Sequence, residues 1–343
     1  MTQRSVVVRL KRHCNSKRKC QRKADARLYQ GLYTKESKVK KLYESWLNEI
    51  KVTTSRGYWG NYEGYWKNWI EKELGYLRIE EVTEQHFQNI INAAYIKGLS
   101  KKTLQNMRAC MAAFMKYCRK CGVTTLAIEN VTIPKRAKVG KRTILQPDDL
   151  QKLFTIDTTL FKNRVAYEPL VYAFRFQVST GLRPGELIGL KWDDIDLESG
   201  YITLQRSVNK FHEVTTGKND NARRVFILTT LSKSILTEHM KNNKACCEFV
   251  FPLNQKVLKT QTYYDRWVKY RAHAGITDAT PYELRHTFIS IIKRLPEGLI
   301  KPLVGHSVNM NTYSVYGHEI DGELMQVSEL IQAVFDNIGV KYC

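Results

Sequence analysis

In the stretch TSRGYWGNYEGYWKNWIEKEL, aromatic residues fall at Tyr58, Tyr62, Tyr65, Trp66 and Trp69. Those spacings place them on one side of a helix, with Ser55 at its N-cap. Aromatics at helical spacing are expected to be core before they are a platform for stacking bases. A second helix is predicted in VTEQHFQNIINAAYIKG, capped at Thr83 and closed at Gly98. A third runs from Ser100 and is stopped by Gly122. The pattern becomes helical from about Tyr43.

The second half mixes periods. Gln146-Pro147-Asp148-Asp149 opens a helix, with proline in the first turn and acids where the helix dipole favours them. EPLVYAFRFQVSTG reads as a buried helix ending at Gly181. WDDIDLESGYITLQ and RRVFILTT alternate like strands, with the K-N-D-N segment as a turn between them. PYELRHTFISIIKRL, PEGLIKPLVG, NMNTYSVYG and ELMQVSELIQAVF read as short helices. The predicted fold class is mainly α with a small antiparallel β-sheet in the second half. The predicted layout is a basic segment at 1–42 with one strand at Ser5–Leu10, read either as a flexible arm or as a degenerate DNA-binding module, then a helical domain at 43–134, a linker at 135–142 and a second domain at 143–343.

Composition adds a partner. The chain has 343 residues, enough for two domains, and is 43% hydrophobic, enough for real cores. No run of eighteen apolar residues appears, so neither a membrane span nor a secretory signal is expected. Lys and Arg outnumber Asp and Glu by 55 to 33, a net charge of +22. Residues 1–40 alone carry thirteen cations against Asp25 and Glu36. The expected partner is therefore a polyanion, and nucleic acid is favoured because the arm lacks the Trp- or Phe-rich amphipathic stripe that a membrane surface would need. Two groups of cations are candidate DNA contacts. One lies on the third helix (Lys101, Lys102 and Arg108), the other in the PKRAKVGKR linker (Lys135, Arg136, Lys138, Lys141 and Arg142).

Eight cysteines are present, but Cys110, Cys118 and Cys121 fall in a helical pattern and Cys246 and Cys247 are adjacent. This is a reducing-compartment set rather than a disulfide framework. Cys14 with Cys20, and Cys118 with Cys121, are the only local pairs suited to zinc, and neither has a matching second pair. No metal and no cofactor are expected. A metal nuclease built on Asp193, Asp194 and Asp196 is a weaker reading, because W-D-D-I-D leads into a predicted strand without a distant partner carboxylate.

Six further residues carry the chemistry: Arg183 in STGLRPGEL, Lys218 in TTGKNDNARRV, Tyr282 and Arg285 in PYELRHT, His306 in LVGHS and Tyr316 in TYSVYGH. A nucleophile attacking a DNA phosphodiester meets a negatively charged phosphorus, and the pentavalent transition state gathers more charge on the non-bridging oxygens. Guanidinium groups are planar, permanently charged and bidentate toward phosphate, so arginines can stabilise that charge. A tyrosine surrounded by such cations reads as a strand-cleaving nucleophile.

The ordered motifs T-G-L-R-x-x-E-L, K-x-x-x-x-R-R, L-R-H-T, LVGHS and Y-x-H resemble the tyrosine recombinase (phage-type integrase) family across the catalytic half. G-L-S-x-K-T-L-x-x-x-R extends the resemblance into the helices before it. The resemblance implies a two-domain, C-shaped DNA clamp, a helical core-binding domain followed by a catalytic domain, and a homo-tetramer on two duplexes. It also implies a C-terminal segment from about Ile320 that packs onto a neighbour. It implies roles too. Tyr316 is the nucleophile and forms a 3′-phosphotyrosine link. Arg183 and Arg285 clamp the non-bridging oxygens. Lys218 is the general acid, His306 bonds a phosphate oxygen, and Glu186 buttresses the site. Tyr282 stands where the family usually has histidine. A phenol, with a pKa of about 10, is a poor proton exchanger at neutral pH but still donates a hydrogen bond.

Because the phosphotyrosine conserves the bond energy, religation needs neither ATP nor a cofactor. The expected function is site-specific recombination that integrates and excises a mobile element in the bacterial cytoplasm and nucleoid, with accessory bending or directionality proteins as further partners. The alternatives are a housekeeping chromosome-dimer resolvase, a type IB topoisomerase and a DNA-binding regulator with a decayed site.

Overall fold

The computed structural model describes residues 33–215, 224–242, 247–296, 303 and 323–340. The expected strand at Ser5–Leu10, the K-N-D-N turn and the helix in NMNTYSVYG lie outside these residues, as does PEGLIKPLVG apart from Pro296 and Leu303. The described residues are mainly helical, with small antiparallel sheets, and fall into two compact units divided between Lys141 and Arg142. Among them, no helix is long and apolar enough to cross a membrane.

The first unit is helical. Helix α1 (Val39–Thr53) is followed by α2 (Arg56–Tyr65), a π turn over Trp66–Ile70 and α3 (Glu71–Leu74). The aromatic stripe is core. Tyr43 stacks on Trp66 at 4.2 Å between ring centres, and Trp46 stacks on Tyr62 at 5.4 Å. Such pairs add about 0.5–1.5 kcal/mol beyond their burial, which explains why these rings are not left on the surface for bases. Tyr58 remains exposed but shares a 2.6 Å hydrogen bond with the Tyr62 hydroxyl.

Helix α4 (Glu84–Ile96) starts at Thr83, and Gly98 follows it with φ of +83°. Helix α5 (Lys101–Lys120) is capped by Ser100, whose hydroxyl accepts from the Thr103 amide at 3.2 Å; Gly122, at φ +75°, closes it. Leu104, Met107, Met111, Phe114 and Met115 line its buried face.

The second unit is built around α7 (Val171–Thr180), every residue of which is buried. Helix α6 (Pro147–Thr155) packs against it after the predicted proline start. Between them lies a hairpin the sequence did not announce, β1 (Thr158–Phe161) paired antiparallel with β2 (Arg164–Tyr167). Lys162 and Asn163 turn it with φ of +48° and +61°. Two left-handed central residues are the type I′ arrangement, here without the Asn-Gly or Asp-Gly pair that signals it.

Past α8 (Pro184–Ile188), Trp192–Asp194 forms a single 3-10 turn instead of the start of a strand, so the expected strand is cut to β3 (Ile195–Asp196). β3 pairs with β4 (Tyr201–Leu204), which pairs with β7 (Arg224–Ile227). A separate ribbon pairs β5 (Ser207–Val208) with β6 (Val214–Thr215).

Helices α9 (Thr230–Asn242) and α10 (Thr260–His273) were not expected. Helix α10 keeps only Tyr263, Trp267 and Tyr270 on its buried face, spaced by four and three. Its remaining residues are polar enough to hide the period. Helix α11 (Pro281–Ile291) packs along α7. Helix α12 (Glu323–Asn337) places Val327, Ile331 and Phe335 in the core of its own chain. There Ser328 donates to the Leu228 carbonyl at 2.9 Å and Gln332 accepts from the Leu231 amide at 2.8 Å.

Candidate active site

Helix α7 ends at Gly181, whose φ of +66° turns the chain out of the helix. A β-carbon there would come within 2.2 Å of the Phe288 ring, so only glycine lets α7 and α11 approach this closely. Two residues later, Arg183 is the N-cap of α8, with Pro184 next. Glu186 reaches back one turn. It accepts from the Arg183 amide at 2.9 Å and from the Arg183 guanidinium at 2.7 Å.

Arg224, the first residue of β7, completes that carboxylate. Its Nη1 and Nη2 donate to the two Glu186 oxygens at 3.1 and 3.0 Å, while Nε donates to the Leu303 carbonyl at 2.8 Å. Glu186 is only 4% exposed. Burial alone would raise its carboxyl, but the Arg224 fork, the Arg183 amide and the Arg183 charge together hold it below the ordinary 4.5.

Arg285 comes from α11. It is 1% exposed and donates from Nη1 to the Gly181 carbonyl at 2.6 Å. Burial, and then the neighbouring Arg183 charge, pull its guanidinium down to about 10, so it stays protonated at neutral pH. Arg183, Arg224 and Arg285 thus gather near Glu186, an excess of positive charge that an anion would relieve.

Tyr282 lies one turn before Arg285 on α11 and is 41% exposed. It hydrogen-bonds with Arg183, and its ring meets His286 edge-on at 5.2 Å. Burial and the charges of Arg142 and Arg285 lower the His286 imidazole, so His286 is neutral at neutral pH. Residues 142–145 are fastened to the same helix: the Thr143 amide donates to Glu283 at 2.8 Å and the Leu145 amide to Thr287 at 3.0 Å.

Arg183, Tyr282 and Arg285 therefore come together across about a hundred positions of chain. Lys218, His306 and Tyr316 lie outside the described residues. Arg224 was not expected as a partner of this group; its signal in the sequence is the second arginine of the R-R doublet opening a predicted strand.

The carboxylates weighed for a metal have other uses. Asp194 accepts from Arg206 and from the Lys191 amide, and Asp196 builds a turn by accepting from the amides of Glu198 and Ser199. Among the described residues no group of three or more His, Cys, Asp or Glu is arranged to hold a metal ion. Cys118 is buried within α5 and Cys121 at its end, while Cys14 and Cys20 lie outside the described residues.

Among the candidate DNA contacts, Lys101 and Lys102 open α5, and the Lys101 amide donates to the Lys138 carbonyl at 2.8 Å. With Ala137 buried in the first unit's core, this bond brings Lys135, Arg136 and Lys138 to the start of α5. Arg108 is exposed but gives one N–H to the Val131 carbonyl at 3.1 Å. Lys141 and Arg142 are both exposed.

Residues 143–323 match the Phage integrase family. The chain belongs to that family. Residues 38–95 also match the N-terminal SAM-like domain of phage integrases. As a member of the phage integrase family, the protein is a tyrosine-type site-specific recombinase. It is 22% identical over 331 residues to a tyrosine recombinase XerC-like protein of Caldanaerobacter subterraneus subsp. tengcongensis, covering 86% of this chain and 82% of that one. It is 26% identical over 253 residues to the prophage integrase IntR of Escherichia coli, covering 66% of this chain and 59% of that one.

Two solved structures share the fold. The Tn1549 transposon integrase bound to transposon right-end DNA superposes with a TM-score of 0.67 at 18% identity, covering 89% of this chain and 100% of that one. A lambda integrase tetramer bound to a Holliday junction gives 0.62 at 17%, covering 80% and 79%.

Proposed function

We propose that this integrase-family recombinase cleaves and rejoins DNA through Tyr316 to integrate and excise a mobile genetic element. The observation that carries the reading is the convergence of Arg183, Arg285 and Tyr282 beside Glu186. Two guanidinium groups and a phenol are held there on rigid elements with positive charge in excess, as a pentavalent phosphorane requires.

In the proposed reaction the Tyr316 oxygen attacks phosphorus and the bond to the 5′-oxygen breaks. Lys218 supplies the proton to the departing 5′-oxygen, and the phenolic proton leaves to solvent. Arg183 and Arg285 hold the non-bridging oxygens with His306, and Tyr282 donates to the same phosphate. A 5′-hydroxyl from another duplex then displaces the tyrosine, re-forming the phosphodiester with no external energy source.

The proposed partners are double-stranded DNA at specific attachment sites and three further copies of the chain, as in the lambda integrase tetramer on a Holliday junction. Accessory bending or directionality proteins join them. We assign core-site DNA contact to the helical unit at 43–134 and the linker at 135–142, through Lys101, Lys102, Arg108, Lys135, Arg136, Lys138, Lys141 and Arg142. The catalytic unit spans 143–343; because α12 buries Val327, Ile331 and Phe335 in its own chain, we assign only the outward face of the segment from Ile320 to contact with a neighbouring copy. Residues 1–42 act as a basic arm for accessory DNA sites. The proposed setting is the bacterial cytoplasm, at the nucleoid.

The XerC-like relative favours a second reading, a chromosome-dimer resolvase. The thirteen cations of residues 1–40 favour the mobile element, since such an arm suits accessory sites. Covalent trapping tests both. Nicked duplexes tiled from the DNA flanking the gene and from the chromosomal terminus are incubated with the protein in EDTA, beside Tyr316→Phe, and resolved in SDS. A stable protein–DNA band in wild type alone, on tiles from an element end, is the expected result. A band only on chromosomal terminus DNA would favour the resolvase. Tight binding without any band would leave a DNA-binding protein with a decayed site.

A further inference from the structure

We infer that Arg224 is a positioning residue for strand cleavage: through the Glu186 carboxylate it sets the Arg183 guanidinium. The inference rests on the proposed reading of Arg183, His306 and Tyr316 as the site.

Three observations carry it. First, Arg224 donates to both Glu186 oxygens, at 3.1 and 3.0 Å, and one of those oxygens is also the acceptor for the Arg183 guanidinium. The carboxylate is thus shared between a buried fork and a working cation, and its angle is fixed by the fork. Second, Arg224 and Glu186 side chains are only 8% and 5% exposed, whereas the Arg183 side chain is 31% exposed. Arg183 can reach an incoming phosphate; Arg224 cannot, and so works through its partner. Third, the remaining donor, Nε, bonds the Leu303 carbonyl at 2.8 Å. One guanidinium therefore links strand β7, the Arg183 turn and Leu303.

A lysine at 224 keeps the charge but loses the planar fork and the second direction of donation. Glu186 then turns more freely, and Arg183 meets the phosphate in fewer productive orientations. Such a defect shows where the reaction needs charge compensation on the non-bridging oxygens. A methylphosphonate at the scissile position removes one of those charges and with it most of the need for an aligned guanidinium.

The experiment compares full-length wild type and Arg224→Lys for rate of covalent complex formation on matched phosphodiester and methylphosphonate duplexes, with DNA affinity and melting temperature measured alongside. The expected result is a loss of about 10- to 100-fold on the phosphodiester and at most about 3-fold on the methylphosphonate, with DNA affinity unchanged. Equal losses on the two substrates, or wild-type rates on both, overturn the inference. If Arg224→Lys does not fold, Glu186→Asp withdraws the same carboxylate from the other side of the pair and is held to the same two outcomes. Failure of wild type itself to form a covalent complex overturns the site reading, and this inference falls with it.

Discussion

Arg285 hands a 2.6 Å hydrogen bond to the carbonyl of Gly181, the residue that ends α7 two positions before Arg183. One candidate phosphate-binding cation is thereby fastened to the turn that presents the other. The two arginines lie on different helices, yet this short bond and the absence of a side chain at Gly181 bring them close.

Gly181→Ala should be costly. The left-handed backbone costs roughly 1–2 kcal/mol for a residue with a β-carbon, and crowding the Phe288 ring adds about 1–3 kcal/mol. A fall of at least about 2 kcal/mol in denaturant stability of the second unit is expected, with slowed covalent complex formation. A variant as stable as wild type would show that α7 and α11 can separate without loss.

Tyr282→Phe removes the hydroxyl that bonds Arg183 and leaves the ring against His286. A hydrogen bond to a charged group contributes about 1.5–3 kcal/mol, so cleavage should slow roughly 10- to 100-fold with little change in melting temperature. Tyr282→His should retain activity and introduce a pH dependence near the ordinary imidazole range, about 6.5. A Phe variant with wild-type rate would remove Tyr282 from the site.

Glu186 makes stability depend on acid in a defined direction. Its carboxyl is held below the ordinary 4.5 in the folded chain, so its contribution is fully present above that value and is lost as pH falls through the lower, folded one. Glu186→Gln should cost about 3 kcal/mol or more at neutral pH, because it breaks a buried pair. The gap between variant and wild type should narrow below pH 4.5. Denaturant melts at a series of pH values check this, and a gap constant down to strong acid would contradict it.

Thr287→Val tests the fastening of the 142–145 segment. The Leu145 amide would lose its hydroxyl acceptor in a buried place, at a cost of about 1–3 kcal/mol. Hydrogen exchange at the Leu145 amide should speed up, and the His286 imidazole should titrate higher if Arg142 moves away. Unchanged exchange at Leu145 would mean that other contacts hold the segment.

Burial pushes the Cys110 thiol up to about 12, against a partial offset from its hydrogen bond with Tyr43. The Cys118 thiol is raised as well, first by burial and then by Cys121. Both should resist alkylation in the native protein at pH 8 and react only on unfolding. Rapid native labelling of either would show that α5 opens readily.

Much of the helical frame was legible because its signals are local. Ser55, Thr83, Ser100, Pro147, Gly98, Gly122 and Gly181 mark helix ends by their own side-chain chemistry or backbone freedom, and the structure places helix ends at each. Where local chemistry was weak, the sequence misled or stayed silent. The Lys162-Asn163 turn has no glycine, α10 shows too few apolar residues for its period to stand out, and Trp192–Asp194 alternates like a strand while coiling into a turn.

By itself the sequence determined which cations this chain carries and which tyrosine we propose as nucleophile, because motif order and residue type travel with the chain. Tertiary structure alone decided that Arg285 bonds a carbonyl 104 positions away and that Arg224 reaches across 38 positions to Glu186, the carboxylate that Arg183 also uses. Those pairings depend on how α7, α11 and β7 pack to bury their apolar faces. No local pattern encodes that choice, since it is made by the close packing of a whole core.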